Sequence, residues 1–287
     1  MPKALHVSAT DVAPNAEAAL RKFVADAWPA LEQIGLAPGA SQDNLTFSAD
    51  FATAVNGADL VQENGPERIE FKKKLYGQLD ELLPPEVIIA SSSSGLTMSE
   101  IQSGCPKHPE RCVIGHPFNP PHLIPLVEIV GGKQTSEDTI ERASAFYTSL
   151  GKKTVRLKKE VPGHVANRLQ AALAREVYYL VAEDIVSAAD VDAALCWGPG
   201  LRWGIMGQLM LNHLGGGPGG IEHFLQQFVG PVTAWWKVLG NPVLTPEVQK
   251  KLIDGVHAEV GSRSIAELAA QRDEILLGLL SLRARYA

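Results

Sequence analysis

Residues 113–130 read VIGHPFNPPHLIPLVEIV, in which two apolar runs typical of buried strands flank a turn-rich loop. Each run carries one ionisable side chain, His116 in the first and Glu128 in the second. A histidine can accept a proton from a hydroxyl near neutral pH, and an adjacent carboxylate holds its ring in one tautomer and stabilises the imidazolium. The pattern predicts a general base with its orienting acid, although an isolated pair is more often a core histidine beside a strand-end glutamate.

Upstream of this segment, the apolar pattern alternates between the periods of helices and strands. The predicted elements are a helix at 14–34 with a kink at Pro29, a short strand at 58–65, a helix at 67–83 and a buried strand at 87–91. This alternation predicts an α/β fold with a parallel sheet covered on both faces. Ligands of such sheets bind at the carboxyl ends of the strands, where SSSSG follows Ala90 and HPFNP follows Gly115.

Strand signals stop near residue 162. HVANRLQAALAREVYYLVAED, residues 164–184, has helical periodicity, and helical segments broken by Gly and Pro follow it. The run GGGPGG at 215–220 has no strand leading into it, as a phosphate-binding loop would, and is interpreted as a flexible loop between helices. The sequence thus predicts an α/β domain over 1–161 and an all-helical domain over 162–287.

Composition excludes several classes of partner. The net charge is −6 and basic residues are scattered, so nucleic acid is not expected as a partner. We expect a cytoplasmic protein, because the sequence has neither a secretory signal nor an apolar run of the ~20 residues that cross a bilayer. The odd cysteine count, Cys105, Cys112 and Cys196, argues against a disulfide framework. Cys105, His108, Cys112 and His116 are spaced like zinc ligands, but intervening prolines and charges indicate a surface turn, and no metal is predicted.

Four segments together resemble the 3-hydroxyacyl-CoA dehydrogenase superfamily, in its order and spacing. They are ASSSSG at 90–95, GHPFNPP at 115–121, LVEIVGG at 126–132 and EVPGHVANRL at 160–169. The resemblance implies a Rossmann-type domain followed by an all-α domain. It also implies that His116 is the catalytic base, Glu128 its partner, Ser94 a hydroxyl that binds the substrate oxygen, and Asn167 an amide that positions substrate and histidine. From the residues alone, a turn hydroxyl at Ser94 and a helix start at Asn167 remain alternatives.

The resemblance implies NAD as the cofactor. Asp11, in ALHVSATD, matches the position that holds the adenosine ribose hydroxyls and disfavours the extra phosphate of NADP. Glu67 and Lys72, in GPERIEFKK, match two further cofactor-contacting positions, and Ser94 is assigned to the cofactor as well. The family's opening strand, G-x-G-x-x-G loop and helix do not precede ALHVSATD. We therefore expect a missing pyrophosphate site, two unpaired strand edges and a shortened chain or gene model. Residues 1–287 alone are expected to bind NAD weakly or not at all.

Two regions bear on the substrate. Residues 13–34, where acyl-CoA enzymes of the family carry a basic CoA-binding helix, hold Arg21 and Lys22 among three acidic residues. Arg202, in GPGLRWGIMG, is suited to grip a free carboxylate with two hydrogen bonds, with a surface ion pair as the alternative. Segments around Arg202 and SRSIAELAAQRDEIL at 262–276 look most like the branch that holds L-carnitine dehydrogenase and L-gulonate 3-dehydrogenase (lambda-crystallin).

This branch implies oxidation of the 3-hydroxyl of a small free 3-hydroxy acid, such as carnitine, gulonate or 3-hydroxybutyrate. An L-3-hydroxyacyl-CoA dehydrogenase and a catalytically silent structural relative remain alternatives. Trp197, Trp203, Trp235 and Trp236 form either a cage for a trimethylammonium group or plain core. The apolar segment 202–214 predicts a two-fold homodimer, as the family resemblance also implies.

Overall fold

The structure is a computed structural model that describes residues 4–286 and divides into two units after residue 168. The first unit contains β1 Val7–Ala9, α1 Ala16–Ile34, β2 Leu45–Phe47, α2 Phe51–Val55, β3 Leu60–Glu63, α3 Ile69–Leu82, β4 Ile88–Ser91, α4 Met98–Ile101, β5 Cys112–Pro117, β6 Leu126–Gly131, α5 Glu137–Ser149 and β7 Lys153–Arg156. Helix α6, Ala166–Ala182, begins at its end. The chain is therefore α/β up to residue 156, as the alternating pattern predicted.

The strands form two sheets. β1 and β2 make a parallel pair, and the second sheet has the order β3-β4-β5-β6-β7. Within the described residues, β1 and β3 each have a strand neighbour on one side only. Their unpaired edges expose backbone hydrogen-bonding groups.

One part of the sheet differs from the prediction of a parallel sheet. β6 runs antiparallel to β5, whereas the other neighbouring strands are parallel. A parallel return needs a crossover of about a dozen or more residues, and the connection at 118–125 is shorter than that. The polypeptide therefore turns back directly and places the second apolar run of 113–130 beside the first.

Apolar side chains cover both faces of the five-stranded sheet. Ile89 and Ile114 pack in a cluster with Tyr76 and Leu79 of α3. The alternate strand residues, including Ile88 and Val113, pack with side chains of α5 on the other face. Because strand side chains alternate between faces, continuous apolar runs are what a doubly covered sheet requires. This packing buries β5 and β6 in the core of the first unit.

Helix starts follow their capping residues. The Ser136 side chain accepts a hydrogen bond from the Thr139 amide at the start of α5. At the start of α12, Ser264 and Glu267 form a reciprocal capping box. α1 runs through Pro29 without ending. Among the described helices, none has the length and apolarity that a membrane span requires.

The second unit, over its described residues 169–286, is helical throughout. Besides the end of α6 it contains α7 Ala188–Trp197, α8 Pro199–Trp203, α9 Gln208–Gly215, α10 Gly220–Trp236, α11 Pro246–Val260 and α12 Ile265–Ala284. The run 215–220 lies between helices, as predicted, but as a tight 3-10 turn. A Cβ on Gly216 would lie 1.7 Å from the Gly220 carbonyl oxygen, so this turn requires glycine.

Candidate active site

His116 and Glu128 are opposite each other on β5 and β6. Opposite residues of an antiparallel pair project to the same face, so the strand register itself aligns the two side chains. Nδ1 of His116 lies 3.0 Å from Oε2 of Glu128. The two residues are 6% and 1% exposed. The structure thus brings together the base and the carboxylate that the sequence suggested as a pair.

The second oxygen of Glu128 is held by the backbone at the start of α6. Oε1 accepts hydrogen bonds from the amides of Val165, at 2.8 Å, and Ala166, at 3.0 Å. These donors and the positive end of the helix dipole stabilise an ionised carboxylate. Nδ1 of His116 is then a donor to Glu128, and its Nε2 is the acceptor nitrogen that can take a proton from a hydroxyl.

Glu67 organises the serine loop, residues 92–97, which connects β4 to α4. Its Oε1 accepts hydrogen bonds from the hydroxyl of Ser93 and the amide of Gly95, each at 2.7 Å, and from the amide of Leu96 at 3.2 Å. Partial burial raises the pKa of Glu67, but these hydrogen bonds and the positive charge of Lys72 outweigh burial and lower the pKa below 4.5. The carboxylate that was predicted to contact the cofactor therefore also shapes the loop.

Lys72 is 1% exposed and lies inside the first unit. Its Nζ is 2.9 Å from both carboxylate oxygens of Glu63 and 3.2 Å from the Gly65 carbonyl oxygen. A buried ammonium needs such partners to offset the loss of water. In this structure the lysine that the resemblance assigned to the cofactor faces Glu63, a residue that the sequence reasoning did not single out.

Ser94 and Asn167 meet at the outer side of the serine loop. The Asn167 Nδ2 donates to the Ser94 carbonyl oxygen at 3.4 Å, and the Ser94 side chain is exposed. Asn167 lies in the first turn of α6, directly after the two amides that hold Glu128. The first turn of α6 therefore contacts both the serine loop and the His116–Glu128 pair.

Gly115 fixes the backbone next to the histidine. A Cβ at this position would lie 2.2 Å from the hydroxyl oxygen of Tyr147, so only glycine fits. Burial raises the pKa of Tyr147, and its protonated hydroxyl donates to Oε1 of Gln62. Nε2 of Gln62 donates to the Gly115 carbonyl oxygen at 3.2 Å. No local pattern reveals this network, because Gln62 and Tyr147 are 85 residues apart.

Asp11 follows the carboxyl end of β1 and is exposed. Its Oδ1 accepts a hydrogen bond from the Ala13 amide at 2.8 Å, which fixes the direction of the side chain. The serine loop follows the carboxyl end of β4 in the other sheet. Polar groups thus follow the carboxyl ends of parallel strands in both sheets, which is where the ligands of such sheets bind.

Arg202 lies on α8 of the helical unit, with its side chain exposed. The four tryptophans that suit either a cage or plain core, Trp197, Trp203, Trp235 and Trp236, are 79%, 40%, 62% and 66% exposed. Within the helical unit itself, these rings are not buried core. Both the guanidinium and the indoles are open to a ligand or to another protein surface.

The zinc-like spacing leads to a different arrangement. The thiols of Cys105 and Cys112 are buried 3.4 Å apart, while His108 pairs with Glu110 at the surface. In residues 4–286, no group of three or more His, Cys, Asp or Glu side chains is arranged to hold a metal ion.

Sequence reasoning also missed His164. Its ring centroid lies 5.2 Å from that of His116, and its Nε2 lies 2.9 Å from the Ser93 carbonyl oxygen. The available signal was its position in PGHVAN, shortly before Asn167.

Both units match domains of one known protein family. Residues 2–161 match the 3-hydroxyacyl-CoA dehydrogenase NAD binding domain, and residues 163–259 match the C-terminal domain of the same family. The chain is 47% identical to an L-carnitine dehydrogenase of Pseudomonas sp, over 96% of this chain and 86% of the relative. It is 45% identical to an L-carnitine dehydrogenase of Bacillus cereus, over 98% of this chain and 86% of the relative.

Solved structures show the same architecture. A 5-formyl-3-hydroxy-2-methylpyridine 4-carboxylic acid 5-dehydrogenase, described as an NAD+-dependent dismutase, matches with a TM-score of 0.81 and 31% sequence identity. The match covers 96% of this chain and 89% of the other.

Proposed function

This chain belongs to the 3-hydroxyacyl-CoA dehydrogenase family, and we propose that it oxidises the 3-hydroxyl of a small free 3-hydroxy acid to the 3-keto acid. It is an NAD-dependent oxidoreductase that acts on CH–OH groups. The observation that carries the proposal is the buried His116–Glu128 pair, whose geometry makes Nε2 of His116 a proton acceptor. We assign the cofactor to residues 1–161, and substrate binding and dimerisation to residues 162–287.

Nε2 of His116 removes the hydroxyl proton of the substrate in this mechanism. Glu128 stabilises the imidazolium that forms, and its own charge is held by the Val165 and Ala166 amides. When bound, NAD supplies the acceptor for the hydride that leaves the same carbon. Ser94 and Asn167 hold the substrate oxygen while it changes from hydroxyl to carbonyl.

This chain offers groups that match part of the cofactor. The exposed Asp11 carboxylate, at the carboxyl end of β1, suits the ribose hydroxyls of NAD. Ser94, on the loop that Glu67 shapes, would help to hold the cofactor. Lys72 acts through Glu63 and Glu67 in this proposal, as a buried support of the same loop.

Charge on α1 favours a free acid over a CoA thioester. Arg21 pairs with Glu17 at 2.9 Å, and Lys22 pairs with Asp26 at 2.6 Å. These basic residues already face carboxylates, so they are poor partners for CoA phosphates. Arg202 offers an exposed guanidinium that can bind a substrate carboxylate through two hydrogen bonds.

The names of similar proteins support a substrate with a free carboxylate. The curated relatives above are named for L-carnitine, and the solved relative for a pyridine carboxylic acid. L-carnitine combines a 3-hydroxyl, a carboxylate and a trimethylammonium group. The exposed Trp197, Trp235 and Trp236 could surround that cation, whose charge is attracted to aromatic faces.

We further propose a cytoplasmic homodimer formed through the helical unit. The cysteines of the described chain are free thiols, which suits a reducing compartment. The helical unit exposes large apolar side chains, including Leu209, Met210 and Leu214 on α9. Apolar surface of this kind is typical of a protein–protein interface.

Steady-state kinetics tests the proposed reaction. We expect NAD-dependent oxidation of L-carnitine, gulonate or 3-hydroxybutyrate to show a higher kcat/KM than the reduction of acetoacetyl-CoA by NADH. A higher value for the thioester would overturn the free-acid assignment and leave the dehydrogenase assignment in place. Folded protein that binds NAD but turns over none of these substrates would support the silent relative instead. The His116→Gln variant is the control for adventitious activity.

A further inference from the structure

His164 occupies an unusual place in the backbone between β7 and α6. Gly163 and His164 both adopt left-handed conformations, with φ of 76° and 49°. A non-glycine residue rarely adopts this conformation, and such residues persist where the surrounding structure holds them. The side chain of His164 is directed inward and is 2% exposed.

The hydrogen bond of His164 defines its tautomer. Nε2 lies 2.9 Å from the Ser93 carbonyl oxygen, and a carbonyl oxygen only accepts hydrogen bonds. Nε2 therefore carries the proton. Among residues 4–286, the buried Nδ1 has no hydrogen-bond partner. A proton on Nδ1 would have no acceptor there, so the contacts favour the Nε2–H tautomer over the Nδ1–H tautomer.

The turn at Gly163 and His164 contacts both the His116–Glu128 pair and the serine loop. The ring centroids of His164 and His116 are 5.2 Å apart, and the ring planes are tilted by 55°. The next two amides, of Val165 and Ala166, hold Glu128. Through Ser93, His164 also holds the loop that carries Ser94.

We propose that His164 is a positioning residue, whose Nε2–H fixes the serine loop against the His116–Glu128 pair. The catalytic part of this inference rests on the proposed function. A phenyl ring would fill a similar volume, but it would leave the Ser93 carbonyl oxygen without its donor. A glutamine amide can supply that donor in nearly the same place, but without the ring.

The tautomer is measurable on the unmodified chain. Long-range ¹H–¹⁵N correlation spectra of histidine-labelled protein distinguish the two ring nitrogens, and the His164→Gln variant identifies the signals of His164. We expect the Nε2–H tautomer. An Nδ1–H tautomer, or a mixture of the two, would overturn the proposal whether or not the protein is an enzyme.

Two variants separate the hydrogen bond from ring packing. We expect His164→Phe to lower kcat about tenfold, which corresponds to about 1.4 kcal/mol, with KM for NAD unchanged. His164→Gln should retain most of the wild-type kcat. Equal impairment of both variants, or a wild-type kcat for His164→Phe, would contradict the proposed role.

Hydrogen exchange gives a readout that does not depend on turnover. The amides of Gly95 and Leu96, in the serine loop, donate to Glu67, and loss of the His164 contact should increase their exchange rates. We expect faster exchange in His164→Phe and near wild-type exchange in His164→Gln. Unchanged exchange in both variants would count against the proposal. Absence of turnover in the wild-type protein, with these exchange results intact, would instead contradict the proposed function alone.

Discussion

The five-stranded sheet and the helical unit use their apolar residues in opposite ways. The strands around His116 are almost fully buried, and the polar groups beside them are paired across β3, β5, β6 and α5. In the helical unit, large side chains such as Trp197 and Leu209 are 79% and 78% exposed. The first region buries its apolar side chains within its own unit, whereas the second presents apolar surface that a partner or ligand can cover.

This difference separates proton transfer from substrate choice and assembly. Proton transfer depends on the His116–Glu128 pair, which the pairing of β5 with β6 aligns within the first unit. Substrate choice and assembly depend on exposed groups of the helical unit. The contacts of these groups are completed by the substrate or by a second subunit. Variants in the two regions should therefore fail in different kinetic parameters.

The largest effect should come from removing the base in the packed region. We expect His116→Gln to lower kcat by roughly 10²–10⁴-fold, the usual contribution of a positioned general base, with little change in NAD affinity. His108→Gln is the matched control, because His108 lies at the surface beside Glu110. Stopped-flow and steady-state assays measure the loss. Retention of most of the wild-type rate at saturating substrate would show that His116 is not the base.

A change in the helical unit should instead alter KM. We expect Arg202→Met to raise KM for the free acid by about 10- to 100-fold, as loss of a charged hydrogen-bonded pair of about 1.5–3 kcal/mol would. Its kcat should change little, since proton transfer is organised by the other unit. Arg272→Met, which removes another exposed guanidinium of the helical unit, is the control. Equal KM values for both variants would remove Arg202 from the substrate site.

The oligomeric state tests whether the exposed apolar surface of the helical unit is a subunit interface. We expect light scattering to show a dimer at tens of micromolar protein, because the exposed apolar side chains of the helical unit would be buried in it. Dilution below the dissociation constant should increase the quenching of tryptophan fluorescence by iodide. The reason is that Trp197, Trp235 and Trp236 are exposed in the single chain. A strict monomer with fully quenchable fluorescence would argue that a ligand, or no partner, meets this surface.

The smallest effect concerns acid stability near the serine loop. The pKa of Glu67 is lowered below 4.5 in the folded chain, so its stabilising contribution is present above 4.5 and is lost as pH falls through the lower folded pKa. We expect the stability difference between wild type and Glu67→Gln to shrink over that interval. Urea midpoints from about pH 6 to about pH 3 measure it. Glu70→Gln, at an 86% exposed side chain, is the control and should show no such trend.

Local patterns predicted much of the first unit. The helix at 14–34, the strands near 58–65 and 87–91, and the two runs of 113–130 all appear in the structure close to their predicted bounds. Apolar periodicity is sufficient for these elements because burial on one or both faces requires it. The short β2, α2 and β7, and the longer α5, were not predicted, although Ser136 with Glu137 and Asp138 is a recognisable start for α5.

Local patterns do not predict contacts between residues that are distant in the sequence. The antiparallel return of β6 could have been anticipated from the short connection at 118–125. The burial of Lys72 against Glu63 could not, because the same lysine on a free amphipathic helix would be exposed. His164 and Ser93 are 71 residues apart, and neither has a periodicity that indicates the other.

The amino-acid sequence by itself determined that this protein has an α/β half followed by a helical half, and that one histidine and one glutamate lie on adjacent buried strands. These properties follow from apolar spacing and from the length of one connection, both of which are local. Only the tertiary structure decided which atoms face each other: Nδ1 of His116 and Glu128, Glu128 and the first turn of α6, and His164 and the serine loop. Hydrogen bonds require donor and acceptor to meet within about 3 Å, and only the packing of whole elements sets distances that fine.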